Sequence, residues 1–209
     1  MKKEMQNDKE RLIRELIDYS YLKTSAVISA FRKVPRENFV EKEFIKQAYA
    51  NEPLPIREGQ TISQPLTVAA MTEALQPRKG HKVLEIGAGS GYQAAILAEV
   101  VKPGKIITLE RKPRLVEFSR NNIKKCGYQN VSVIHSDGAN GWPDEAPYDR
   151  IIVTASAREI PDALIAQLKE GGRLVIPVGD EMILVEKNKE IKKTFLGYYA
   201  FVPLLRGKE

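Results

Sequence analysis

The chain has 209 residues and is 43% hydrophobic, which is enough for one large core and too little for two of comfortable size. A single cysteine, Cys126, excludes an intrachain disulfide, and with only His81 and His135 beside it no structural zinc set is expected. The 33 Lys and Arg exceed the 27 Asp and Glu by a net charge of +6, but the basic runs Lys2–Arg14, Lys102–Lys125 and Lys187–Lys193 carry no interleaved aromatics, so no nucleic-acid platform is expected. Without a run of 18 apolar residues or an apolar leader, the sequence reads as soluble, with no membrane association, and cytoplasmic.

Taken in chain order, Lys9–Leu22 and Thr24–Val34 alternate apolar and charged residues at helical spacing, and Pro35–Phe39 interrupts them. Asn51–Gly59 holds Pro53, Pro55 and Gly59 and reads as an ordered loop. Residues 1–60 are therefore a helical lead-in ahead of a core spanning 61–209, both within one domain. A helix is predicted over Pro65–Leu75, with Ser63 as a candidate N-cap. Strands at Lys82–Ile86, Lys105–Leu109, Val131–His135, Arg150–Val153 and Arg173–Pro177 then alternate with helices at Gly91–Val101, Pro113–Cys126 and Pro161–Leu168. This pattern is α/β, a doubly wound, mostly parallel sheet. Two closing runs, Met182–Lys187 and Ile191–Val202, joined at Asn188-Lys189, predict an antiparallel hairpin appended to it. Cys126, where the Lys112–Lys125 helix ends before Gly127, is assigned to packing.

The stretch Val83-Leu84-Glu85-Ile86-Gly87-Ala88-Gly89-Ser90-Gly91-Tyr92 describes a buried strand breaking into a glycine turn and a helix. Gly87, Gly89 and Gly91 allow positive φ and leave no Cβ between the main chain and a ligand lying along Gly87-Ala88-Gly89. The spacing is G-x-G-x-G rather than the G-x-G-x-x-G of dinucleotide sites, and Glu85 beside the turn would repel a pyrophosphate but attract a cationic ligand. Glu110 ends the next strand 23 positions after Gly87, where a doubly wound sheet places a carboxylate for ribose hydroxyls. A cofactor with a ribose and a positive charge but no phosphate fits best, which is S-adenosylmethionine.

Outside the turn, six blocks stand in order between about residue 30 and residue 205: Val34–Val40, Pro53–Ile56, Gly59–Pro65, Asp149–Ala155, Gly171–Gly179 and Phe201–Leu204. Together they resemble the protein-L-isoaspartate (D-aspartate) O-methyltransferases. The resemblance implies a repair enzyme that methylates the α-carboxylate of isoaspartyl and D-aspartyl residues in proteins and peptides, with S-adenosylhomocysteine as by-product and no obligate partner. It also implies residue roles. Gly87, Gly89 and Gly91 lie against the cofactor, Glu110 on its ribose and Asp137-Gly138 beside its adenine. Thr61, Ile62 and Ser63 meet both methyl donor and substrate carboxylate, and Val202-Pro203-Leu204 helps to form the peptide site. Arg57-Glu58 depart from the family pattern, which has a less charged, glycine-containing pair, and Ser136 stands where glycine is usual.

A carboxylate nucleophile with a pKa of roughly 3.5 is ionised at neutral pH, so no general base is expected, and Ser63 suits the orienting of one carboxylate oxygen. Three other readings fit less well. A nucleic-acid amino-methyltransferase would carry an Asp/Asn-Pro-Pro-aromatic run where Thr154-Ala155-Ser156-Ala157 stands. A small-molecule methyltransferase has no use for Thr61–Pro65, and a nicotinamide-dependent dehydrogenase has different glycine spacing.

Overall fold

The computed structural model describes residues 2–209. Helices α1 (Lys2–Asp18) and α2 (Ser25–Lys33) lead into the two-stranded ribbon β1 (Leu54–Pro55) and β2 (Thr61–Ile62), which stands apart from the main sheet. Then follow α3 (Pro65–Leu75), β3 (Lys82–Ile86), α4 (Tyr92–Val101), β4 (Lys105–Glu110), α5 (Pro113–Lys125), β5 (Val131–His135) and β6 (Tyr148–Val153). Helix α6 (Asp162–Gln167) and strands β7 (Leu168–Val178), β8 (Glu181–Lys187) and β9 (Ile191–Tyr198) complete the chain.

The seven strands lie in the order β5-β4-β3-β6-β7-β8-β9. Pairings from β5 to β7 are parallel, and those of β7 with β8 and β8 with β9 are antiparallel. Strand order reverses at β3, between β4 and β6, and in an open parallel sheet such a switch point opens a crevice beyond the carboxyl ends of the strands. Alternation sends Leu84 and Ile86 into one apolar layer, which receives Leu164 of α6, while Val83 joins the larger layer shared by Leu12 and Leu16 of α1, Phe31 of α2, Val68 of α3 and Ile96 of α4. The N-terminal helices thus pack into the same core as the sheet.

Four boundaries differ from the sequence reading by four residues or more. α1 begins at Lys2 rather than Lys9 and ends at Asp18, with Ser20 at φ 61 and Leu22 folded back into the core. Its first residues are polar helix formers without apolar period, so periodicity could not register them. β7 starts at Leu168, five residues before Arg173, because Lys169-Glu170-Gly171-Gly172 looks like a turn and is taken into the strand through an irregularity opposite Tyr148 and Arg150. β9 ends at Tyr198, before Val202, just past an irregularity at Gly197, which has φ 134 and still pairs with Met182. Residues 202–204 instead run beside the end of β6, with Ser156 N donating to Val202 O at 2.8 Å and Leu204 N to Ser156 O at 2.7 Å.

Two buried charges shape the core. Arg36, fully buried, donates to the Ala48 carbonyl at 2.8 Å and the Glu52 carbonyl at 3.4 Å, and its guanidinium lies 5.0 Å from the centre of the Tyr92 ring. Burial lowers its pKa to about 10. Glu85 is also fully buried, opposite Thr108 of β4 and Ile152 of β6, and neither carboxyl oxygen has a hydrogen-bond partner among the described residues. Burial first, and the charge of Glu110 in addition, push its pKa up to about 8, against an opposing contribution from Thr108.

The folded protein therefore keeps a proton on Glu85 that the unfolded chain releases above its ordinary value of 4.5, and this residue's contribution to stability falls as pH rises from there through about 8. Glu85→Gln should accordingly raise stability relative to wild type by more at pH ~9 than at pH ~5, a difference measurable by urea unfolding at the two pH values. An equal effect at both would show that folding does not raise the pKa of Glu85.

Candidate active site

A cavity of about 300 Å³ lies at the switch point, walled by the β3–α4 turn, the ends of β4 and β6, the β2 segment and residues 202–205. Gly87, Gly89 and Gly91 all have positive φ, at 97°, 52° and 86°. A Cβ on Gly87 would stand 2.4 Å from Thr154 Oγ1, and one on Gly138 would stand 2.3 Å from Ile86 Cγ2, so side chains at either position would force the wall apart.

The turn spends its own donors. Gly87 N and Ala88 N donate to Leu109 O at 2.9 and 3.0 Å, Gly89 N to Glu110 Oε2 at 3.0 Å, and Gly91 N to Ala88 O at 2.7 Å. A pyrophosphate-binding turn leaves such N–H groups free for the ligand; here the adjacent strand has taken them. Glu110 is nearly buried, and its other oxygen accepts from Arg111 N at 2.8 Å and Lys112 N at 3.0 Å. These bonds fix the carboxylate at the cavity edge and leave lone pairs for hydroxyl donors. The glycine cradle, the fixed carboxylate and the spent N–H groups of Gly87, Ala88 and Gly89 together suit a ligand that carries a ribose without phosphate.

Most predicted positions line this cavity, namely Thr61, Ile62, Ser63, Gly87, Ala88, Gly89, Glu110, Gly138, Val202, Pro203 and Leu204. Three do not. Glu85 lies inside the sheet's core, on the face that also takes Val83, and not beside the ligand as its sequence position predicted. Gly91 serves the turn from behind, where a Cβ would meet Ile123 at 3.3 Å. The Asp137 carboxylate is turned to the backbone, accepting from Ala139 N at 2.9 Å and Gly207 N at 2.7 Å, while its neighbours Ser136 and Gly138 reach the cavity.

Thr154 was not singled out by sequence, yet its hydroxyl lies 3.0 Å from Ile86 O and 2.7 Å from Gly87 O, locking the turn from the β6 side. Its place at the carboxyl end of the strand beside β3 was the available signal.

The departures at Arg57-Glu58 form a strap. Arg57 stacks 4.4 Å from the Phe118 ring centre and pairs with Glu41 at 2.8 Å. Glu58 adopts a left-handed backbone at φ 59, which costs a non-glycine residue roughly 1–2 kcal/mol. Its carboxylate reaches Arg114 at 3.3 Å and Lys112 at 4.0 Å. Gly59 and Gln60, next along this segment, line the cavity.

A second cavity of about 560 Å³ adjoins the first, between the β1–β2 region, α3 and residues 196–202. Thr61, Ser63, Thr154 and Val202 line both. Ser63 is half-buried, and its hydroxyl has no hydrogen-bond partner among the described residues. The expected capping role is not realised: Gln64 is the N-cap residue of α3, and it makes no side-chain cap bond. Neither histidine lines either cavity; His81 Nδ1 accepts from Arg78 N at 3.1 Å, and His135 Nε2 lies 3.0 Å from Arg111 O. Among the described residues no helix is long and apolar enough to cross a membrane, and no group of three His, Cys, Asp or Glu is gathered as a metal would require.

Comparison with known proteins agrees with this geometry. The sequence profile of the family described as protein-L-isoaspartate(D-aspartate) O-methyltransferase matches residues 6–209. A protein-L-isoaspartate O-methyltransferase of Methanopyrus kandleri is 54% identical over 96% of this chain and 92% of its own, and one of Ignicoccus hospitalis is 50% identical over 96% and 99%. Among solved structures, a protein-L-isoaspartate O-methyltransferase superposes with a TM-score of 0.86 at 31% identity, covering 93% of this chain and 65% of that one. A Plasmodium falciparum protein-L-isoaspartate O-methyltransferase in complex with S-adenosyl-L-homocysteine gives 0.82 at 28% identity, covering 94% and 98%. With a profile match over nearly its whole length and relatives half identical to it, the chain belongs to the protein-L-isoaspartate(D-aspartate) O-methyltransferase family.

Proposed function

We propose that the 300 Å³ cavity holds S-adenosylmethionine and the adjoining 560 Å³ cavity receives an isoaspartyl or D-aspartyl segment of a damaged protein or peptide, with Ser63 between them orienting the free carboxylate, α in isoaspartyl and β in D-aspartyl. The observation that carries this reading is the wall of four residues common to both cavities, in which the Ser63 hydroxyl is half-buried and has no protein partner. When bound, the cofactor supplies a methyl group on a positively charged sulfur, which the carboxylate oxygen takes as the carbon–sulfur bond breaks. The next residue's backbone nitrogen then attacks the methyl ester, methanol leaves as the succinimide closes, and hydrolysis of that ring restores part of the normal aspartyl linkage.

The chain's own task is positioning. Glu110 accepts from the ribose hydroxyls, the Gly87–Gly89 turn lets the backbone approach, and Ser136 and Gly138 border the adenine end with Asp137 as the anchor of that turn. Thr61, Ile62 and Val202-Pro203-Leu204 close the sides and exclude water. Correct alignment of two reactants is worth up to roughly 7–11 kcal/mol, and the reaction joins a negative oxygen to a positive donor, so a site poor in water favours it. No proton need be removed from the nucleophile. We infer action in the cytoplasm, on isoaspartyl proteins and peptides alone, without nucleic acid, membrane or an obligate partner.

Transfer of a labelled methyl group to matched peptides tests the assignment. The isoaspartyl peptide should react at least about a hundred times faster than its aspartyl twin, because a carboxylate displaced by about 1 Å loses on that order of rate. Initial rates should show no titration of an essential base near neutrality; equal rates on the two peptides, or a steep rise centred near pH ~6.5, would overturn the reading.

Glu110→Ala should weaken S-adenosylmethionine binding at least about tenfold, and should also cost about 1–3 kcal/mol of stability, because three backbone N–H groups lose their acceptor. Calorimetry and urea unfolding on one variant give both numbers; unchanged affinity would remove Glu110 from the site.

Ser63→Ala should lower turnover on isoaspartyl peptide at least about tenfold, while cofactor affinity and stability stay within about twofold and 0.5 kcal/mol of wild type, since no cap is lost. A stability loss with unchanged turnover would return Ser63 to a structural role.

A further inference from the structure

The first turn of α3 has orphan N–H groups, as every helix does, and the residues just before it do not satisfy them. The acceptor comes from a distant loop: Leu66 N donates to Asn51 Oδ1 at 3.1 Å. The same residue accepts through its backbone, with Gln64 Nε2 donating to Asn51 O at 2.8 Å. Asn51 thus holds the chain on the C-terminal side of Ser63 by two hydrogen bonds. It is itself held on either side, because buried Arg36 donates to the carbonyls of Ala48 and Glu52. Its remaining amide donor reaches Glu15 Oε1 of α1 at 3.2 Å.

We propose that Asn51 is a positioning residue for methyl transfer: by capping α3 from outside, it fixes the backbone that carries Ser63 and leaves the Ser63 hydroxyl unspent for the substrate carboxylate. A short hydroxyl next to a helix start is a ready acceptor for uncapped N–H groups. If Ser63 had to serve the helix, its oxygen would be drawn toward Leu66 and away from the wall between the two cavities. Asn51 removes that demand. The inference rests on the proposed role of Ser63, and a double-mutant cycle separates the two.

Turnover on isoaspartyl peptide is measured for Asn51→Ala, Asn51→Asp, Ser63→Ala and the double variant Asn51→Ala/Ser63→Ala, with S-adenosylhomocysteine affinity measured alongside. Asn51→Ala should lower kcat at least about tenfold with cofactor affinity within about twofold, and Asn51→Asp, which keeps the side-chain acceptor, should stay within about threefold of wild type. In the Ser63→Ala background, Asn51→Ala should change kcat by less than about twofold, because the group it positions is gone. A full tenfold loss in that background, or an Asn51→Asp variant as impaired as Asn51→Ala, overturns the positioning role. If Ser63→Ala alone retains wild-type turnover, it is the Ser63 reading that fails. Should Asn51→Ala not fold, Gln64→Met removes the other tether at similar length, and its loss of kcat must likewise vanish in the Ser63→Ala background.

Discussion

The site depends on the capture of the β3–α4 turn by its neighbour β4. Leu109 O takes the N–H groups of Gly87 and Ala88, and the Glu110 carboxylate takes that of Gly89. These bonds carry the parallel pairing of β3 and β4 one step past the end of β3, so the register that sets Ile86 against Leu109 also sets the turn against Glu110. One consequence is geometric, since the carboxylate cannot drift from the cavity edge without losing backbone donors. The other is chemical. With the N–H groups of Gly87, Ala88 and Gly89 spent, the turn is poorly suited to a pyrophosphate, and a fixed carboxylate is an acceptor for hydroxyl donors.

On the other side of β3, Thr154 reaches the Ile86 and Gly87 carbonyls, so the turn is held from both flanking strands. The remaining walls come from segments outside the parallel sheet. Residues 202–204 are pinned to Ser156, and the segment before β2 is tied to α5 through Glu58. The tail crosses the same place, where Glu209 pairs with Arg111 at 2.7 Å and Lys112 at 2.8 Å. Partly exposed ion pairs contribute about 0–1 kcal/mol each, so the Glu58 and Glu209 ties add less than the backbone bonds that hold the turn and residues 202–204.

A reaction whose nucleophile is already ionised asks for alignment rather than proton transfer, and the residues around the two cavities are of that kind. They include the half-buried hydroxyl of Ser63, the apolar Ile62 and Val202 and the Gly87–Gly89 backbone, with no histidine among them. The most perturbed acid in the sheet, Glu85, lies under the turn and not in the cavity, with burial as the cause of its shift. A strongly shifted pKa marks a place where a charge has been denied solvent, and here that place is the core.

Much of this was legible in the residues. Alternating apolar runs and glycine punctuation located the parallel strands and their helices, because period and turn chemistry are local properties. Glycine spacing and the acid at the end of the following strand pointed to the right class of cofactor, since three positive-φ positions and one carboxylate leave local marks. Polar Lys2–Asp8 and the turn-like Lys169–Gly172 misled at element ends, where packing overrides propensity. What the sequence could not settle was direction and partnership. Glu85 and Glu110 are both acids beside the turn and share the face of the sheet that takes Val83 and Ile106; only their distance along the strands puts one in the core and the other at the cavity edge. The residues left Ser63 both an orienting role and a capping role; the tertiary fold brought in Asn51, twelve residues earlier and held by a buried arginine, to bond the first turn of α3 instead. Hydrogen-bond acceptors delivered from a distant loop leave no periodic trace, and so the use of the Ser63 hydroxyl was decided only when the chain folded.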